Sequence, residues 1–201
     1  MKKVEMDSYE IEIPEQVIAG RLGFLGEKEI PDDFKDIYTQ YLEIAKNNSR
    51  ITALYDDFPI EMDDNIIRVM DEIFESDLVS KHLRGSQSVT ALLVTLGKEI
   101  DNKIESLHEE GEELRSFFLD GISSELVEFA SRKLDSQLRK EHLGFKGSAR
   151  ISPGYGDFPI EINRRIIEEL NGNDMGVHWK EGSYQMIPRK TVSAFIGWVK
   201  D

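Results

Sequence analysis

Arginine, glycine and tyrosine fall close together in the stretch Arg150-Ile-Ser-Pro-Gly-Tyr-Gly-Asp-Phe-Pro-Ile-Glu161. A guanidinium presents two parallel N–H donors, the arrangement that clamps a carboxylate. Four residues on, Pro153-Gly154 reads as a tight turn, because proline fixes φ at about −65° and glycine admits positive φ. Such a turn exposes backbone N–H groups, and without a Cβ at Gly154 a ligand can come against the main chain. Tyr155 adds a flat face for a base, or a hydroxyl for a polar group. The chemistry within reach of this pattern is recognition of a small carboxylate-bearing ligand.

The same phrase occurs one hundred residues earlier as Arg50-Ile-Thr-Ala-Leu-Tyr-Asp-Asp-Phe-Pro-Ile-Glu61, with eight of twelve positions identical. Ile66-Ile67 is matched by Ile166-Ile167, and Ser88-Val-Thr-Ala-Leu-Leu93 by Thr191-Val-Ser-Ala-Phe-Ile196. Each half then reads as a loop with Phe-Pro, a segment with paired isoleucines and a strand. This predicts a single domain over 1–201 built from two related halves, at about 1–97 and 98–201. The first copy keeps Arg50 and Tyr55 but has Ala53-Leu54 where the second has Pro153-Gly154, so the second is the better site. Asp157 and Glu161 suit the start of a helix at Ile162.

Other chemistries lack their residues. The chain has no cysteine, so no disulfide, thiolate site or thiol nucleophile. His82, His108, His142 and His178 are scattered without ligand spacing, and no metal site is expected. There is no Gly-x-Gly-x-x-Gly and no P-loop. A formal charge of −14 argues against nucleic acid or an anionic membrane as partner. No apolar run approaches the roughly 18 residues of a membrane span. The acidic start precludes a signal-peptide core, and a cytoplasmic location is the plain expectation.

The elements that must position Arg150 follow from periodicity. Tyr9–Ile13 alternates as a strand does, and Pro14 to Gly23 has the proline and glycine punctuation of a helix. Residues 31–47 place Phe34, Ile37, Tyr38, Tyr41, Leu42 and Ala45 on one helical face. Residues 88–96 read as a buried strand. Helices are predicted over 98–109, 112–140 and 162–170, with Gly121 marking close packing in the long one. Strands are expected around 176–179, 183–187 and 191–199. With no βαβ rhythm, the fold class is α+β, a mainly antiparallel twisted sheet covered by helices.

Arg150-Ile-Ser-Pro-Gly-Tyr155 resembles the S-adenosylmethionine-binding signature in the activation domain of cobalamin-dependent methionine synthase. Met175-Gly-Val, Ser183-Tyr-Gln-Met-Ile-Pro188 and Thr191-Val-Ser193 are similar to that family's later elements, in the same order. Glu125-Leu-Val-Glu-Phe-Ala130 looks like the helix that supplies a glutamate to the site. Lys81-His-Leu-Arg-Gly85 and Val94-Thr-Leu-Gly97 look like the family's free-standing branch. The resemblance covers about residues 125–195 specifically.

What it implies is an S-adenosylmethionine site in which Arg150 holds the carboxylate, Pro153, Gly154 and Tyr155 cradle the ligand, and Glu128 takes a polar group. Without the resemblance, Glu128 reads as part of a solvated helix face. The implied role is a stand-alone reactivation component that supports reductive remethylation of cob(II)alamin. No Asp-x-His-x-x-Gly segment is present, so cobalamin would come in trans on a methionine synthase core or another corrinoid protein. The electron would come from a donor such as flavodoxin or ferredoxin. No counterpart of the family's early acidic contact precedes Ile51, which keeps open a docking scaffold or an S-adenosylmethionine sensor. No side chain is assigned a catalytic role.

Overall fold

Three strands rich in β-branched and apolar residues form the centre of the molecule. β2 (Ile51–Asp63), β5 (Ser88–Thr95) and β9 (Thr191–Lys200) run antiparallel, with Leu93 facing Leu54 on one side and Ser193 on the other. The computed structural model that gives this arrangement describes residues 1–200. β1 (Lys2–Met6), β3 (Ile66–Val69), β4 (Glu72–Glu75) and β6 (Phe145–Gly147) complete a seven-stranded sheet in the order β4-β3-β2-β5-β9-β6. β1 pairs with Ile51–Tyr55 of β2, while β3 pairs with Ile60–Asp63 further along the same strand. A separate ribbon joins β7 (His178–Trp179) to β8 (Met186–Ile187).

Both faces of the sheet are covered. One face packs against α1 (Glu15–Arg21), α2 (Lys35–Asn47), α4 (Lys98–Glu109) and α5 (Glu113–Glu141). The other packs against α3 (Asp77–His82), α6 (Ile162–Glu169) and the β3–β4 hairpin. Residues of β5 alternate between them: Leu92 and Val94 enter the first layer, Val89, Ala91 and Leu93 the second. All five are fully buried. Burial on both sides is why this strand reads as a continuous apolar run instead of an alternating one. Each of its large side chains contributes about 1.5–3 kcal/mol of transfer free energy.

The architecture is the expected α+β, with an antiparallel sheet and helices over it. Gly121 lies in α5 against α1, where a Cβ would stand only 2.8 Å from Leu22 Cδ2. The glycine therefore serves close helix packing. No helix of the described residues is long and apolar enough to cross a membrane.

Two local expectations are corrected. Tyr9–Ile13 is not a strand; a 3₁₀ turn covers Ser8–Glu10, capped by Asp7, whose carboxylate accepts from Tyr9 N at 2.9 Å. The short-range hydrogen bond of an aspartate overrides the alternation, and the strand lies earlier, at Lys2–Met6. The Arg50–Glu61 segment is not a loop but most of β2. Pro59, which has no N–H to give, faces Ser88 at the end of the β5 ladder, one residue before pairing with β3 begins at Ile60.

The repeated phrase thus takes two conformations, a strand at 51–63 and a chain of turns at 153–158. The expectation of structurally related halves does not extend to it. The paired isoleucines differ too, Ile66-Ile67 in β3 and Ile166-Ile167 in α6. Without Pro153, Gly154 and Gly156, the first copy has nothing to break its extended backbone.

Candidate functional site

Arg150 is positioned by the edge of the sheet. Its neighbour Ile151 exchanges two backbone hydrogen bonds with Phe195 of β9, at 3.0 and 2.8 Å. Alternation sends Ile151 into the core beside Phe158 and Phe195, so Arg150 points to the opposite side, toward α5. There its Nη2 donates to Glu128 Oε1 at 2.6 Å, with the arginine side chain only 15% exposed. Arg132 Nε, one helical turn further, donates to the same oxygen at 3.3 Å.

The turn after Arg150 closes on itself. Gly154 N–H donates to the Phe158 carbonyl at 2.9 Å, Tyr155 N–H to the Ser152 carbonyl at 3.3 Å, and Phe158 N–H to the Tyr155 carbonyl at 2.9 Å. Gly154 holds φ at +91°, in the left-handed region that disfavours a side chain. The expectation that Pro153-Gly154 offers backbone N–H groups to a ligand is therefore corrected, because those of Gly154 and Tyr155 bond within the turn. Pro153 is itself buried. Tyr155 is 68% exposed, at the crest of the turn.

A short helix braces this turn at two points. The Asp157 carboxylate accepts from Ser76 Oγ at 2.6 Å, from Asp77 N at 2.8 Å and from Leu78 N at 3.2 Å. These bonds, the Ser76 hydroxyl foremost, hold its pKa below the usual carboxylate range. Asp157 thus caps α3, not the helix at Ile162 for which it was expected, and Glu161 makes no side-chain cap there. At the other end of α3, His82 Nε2 lies 2.8 Å from the Ala149 carbonyl, so that nitrogen carries the proton.

The result is a cleft of about 290 Å³. Arg150, Ile151, Ser152 and Tyr155 form one wall, Leu78 and His82 of α3 another, and Glu128 of α5 the third. The structure brings Arg150, Glu128 and Tyr155 together, and uses Pro153 and Gly154 to shape the turn behind them. His82 and Leu78 were missed as site residues: His82 was noted only within the Lys81–Gly85 resemblance and as one of four scattered histidines, and Leu78 carries no local signature. The first copy of the phrase makes no comparable site. Tyr55 is buried with its hydroxyl 3.1 Å from Glu141 Oε1, and the Arg50 side chain is 83% exposed.

The later motif segments sit elsewhere. Ser193 is buried in β9 and donates to Asn163 Oδ1 at 2.6 Å, binding the sheet to α6. Gln185, Met186, Ile187 and Pro188 line a second cleft of about 600 Å³ against Lys98, Asp101 and Glu105 of α4. It shares no lining residue with the Arg150 cleft. The smaller cleft is the stronger candidate, because it brings Arg150 and Tyr155 of the motif together with Glu128.

No protein-family model matches the chain, and no curated protein matches it. Among solved structures, the chain is similar to the crystal structure of the MetH reactivation domain bound to AdoHcy. The TM-score is 0.69 at 14% sequence identity, and the match covers 100% of this chain and 78% of that one. This chain has the fold of the MetH reactivation domain, the fold that the sequence resemblance implied.

Proposed function

We propose that the Arg150 cleft binds S-adenosylmethionine by its carboxylate and that the chain acts as a stand-alone reactivation component for a corrinoid methyltransferase. One observation carries this reading. Arg150 and Glu128, 22 residues apart, meet in a cleft beside an exposed tyrosine, on a fold shared with a domain that has been crystallised with AdoHcy. At about 290 Å³ the cleft is at the small end of ligand pockets, so it takes the amino-acid head group. The nucleoside then lies outward, where the Tyr155 ring offers a stacking face.

Under this reading the chain's own part is to hold and orient the methyl donor and to dock on a partner that carries cobalamin. The sulfonium supplies the methyl group, and a protein donor such as flavodoxin or ferredoxin supplies the one electron that cob(II)alamin needs to accept it. The partner is a methionine synthase core or another corrinoid protein.

Calorimetric titration with S-adenosylmethionine tests the site. Arg150→Ala removes a charge-assisted contact and is expected to weaken binding about ten- to hundred-fold. Arg50→Ala is expected to bind as the wild type does. Unchanged binding in the Arg150 variant moves the ligand elsewhere.

A second reading, a docking scaffold that binds no S-adenosylmethionine, draws on the filled state of Arg150, whose fork already holds Glu128. It predicts no heat with the ligand alone or with a cobalamin-loaded methionine synthase core present, while the core itself binds.

A further inference from the structure

Arg150 already has an anion. Glu128 Oε1 accepts from its Nη2 at 2.6 Å, and the guanidinium faces inward to that carboxylate. The contact joins one nitrogen of the fork to one oxygen. The same Glu128 oxygen also accepts from Arg132 Nε at 3.3 Å, and the Arg132 guanidinium lies 4.5 Å from the Phe129 ring centre. Two consequences follow from this geometry. An incoming carboxylate can offer the fork two oxygens, where Glu128 engages it with one. And Glu128 can release Arg150 without losing all its counter-charge, because Arg132 stands one turn away on the same helix.

We propose that ligand entry is an exchange of carboxylates at Arg150, with Glu128 passing to Arg132 as the ligand arrives. Glu128 is then an autoinhibitory stand-in, which keeps the cleft closed to molecules that bring no anion of their own, and Arg132 is the residue that receives it. This rests on the proposed carboxylate ligand at Arg150, and it gives Glu128 a competing role in place of a ligand contact. Removing the glutamate leaves Arg150 a largely buried cation without a counter-charge, a state that any carboxylate relieves.

The probe is S-adenosylhomocysteine, whose amino-acid head group carries the carboxylate while its thioether is uncharged. It is titrated into the wild type, Glu128→Gln, Arg132→Ala and the double variant. Glu128→Gln is expected to bind about five- to tenfold more tightly, the effect of losing one competing charge-assisted bond. Arg132→Ala is expected to bind about two- to fivefold more weakly, since Glu128 then has no second partner. In the Glu128→Gln background, Arg132→Ala is expected to change nothing.

A direct contact between Glu128 and the ligand gives the opposite signs. Unchanged or weaker binding in Glu128→Gln, or tighter binding in Arg132→Ala, overturns the exchange alone, provided Arg150→Ala still loses the ligand. If Arg150→Ala binds normally, or neither wild type nor Glu128→Gln binds, the proposed function falls with it.

Discussion

Gly154 shows what a single residue contributes to the cleft. Its φ of +91° lets the chain reverse between Ser152 and Phe158, with all three turn hydrogen bonds formed. An alanine there meets only ordinary contacts with Ile160, at 3.7 Å, so the strain comes from the backbone and not from crowding. Gly154→Ala is expected to cost about 1 kcal/mol of stability, seen as a lower urea midpoint at unchanged slope. Arg150 and Tyr155 were legible because an arginine, a Pro-Gly turn and a tyrosine at fixed spacing carry their own physical rationale. Glu128 was legible only through resemblance, since a helical glutamate bound to a cleft arginine looks, in sequence, like any solvated one. The place of His82 at the cleft was not legible, because its partner Ala149 lies 67 residues away.

At the scale of elements, α3 holds the turn by both ends, through Asp157 and through His82. The sequence rule that a carboxylate suits a helix N-terminus was sound, but it pointed to the helix next in the chain instead of the one next in space. The pH dependence follows from the depressed pKa of Asp157, whose unfolded reference is 3.8. Between the folded and unfolded values the unfolded chain binds more protons, so the contribution is complete above pH 3.8 and is lost as pH falls through the folded value. Asp157→Asn is expected to lower the thermal midpoint at neutral pH, with the gap to wild type closing as the melts are taken below about pH 4. A gap of constant size across that range would remove the charged cap from the account. Helix boundaries were the more legible part: 98–109 and 162–170 fall within a residue of α4 and α6, because their apolar periodicity is strong.

For the whole molecule, the sheet is a partition with a core on each face. Leu93 sits in the second core, fully buried, between Leu54 and Ser193. Leu93→Ala is expected to lose about 2–5 kcal/mol in denaturant unfolding, the range for a buried leucine that leaves a cavity. Leu143→Ala, at a side chain 84% exposed, is expected to stay within about 0.5 kcal/mol of wild type. The fold class was legible from the missing βαβ rhythm, but strand order was not. β3, β4 and β6 have four, four and three residues, too few for alternation to show, and nothing in the Arg50 segment announced that one strand would serve two partners along one edge.

That shared edge has a dynamic consequence. From Asp56 to Pro59 the outer side of β2 pairs with neither β1 nor β3, so strand pairing ties the β3–β4 hairpin to β2 only at Ile60–Asp63. It is fastened at its far side by Arg165 Nε on the Met70 carbonyl at 2.5 Å, by Arg164 on Glu72 at 3.1 Å, and through Ser76 by Asp157. These ties predict that the hairpin, α3 and the Arg150 turn open together, at a free energy below that of global unfolding. In deuterium exchange, amides of Ile66–Val69 and Asp77–His82 are expected to label together and well before those of Leu92–Val94. On the proposed reading, a ligand held at Arg150 is expected to slow both segments at once, so that its arrival is recorded in a hairpin that it never touches.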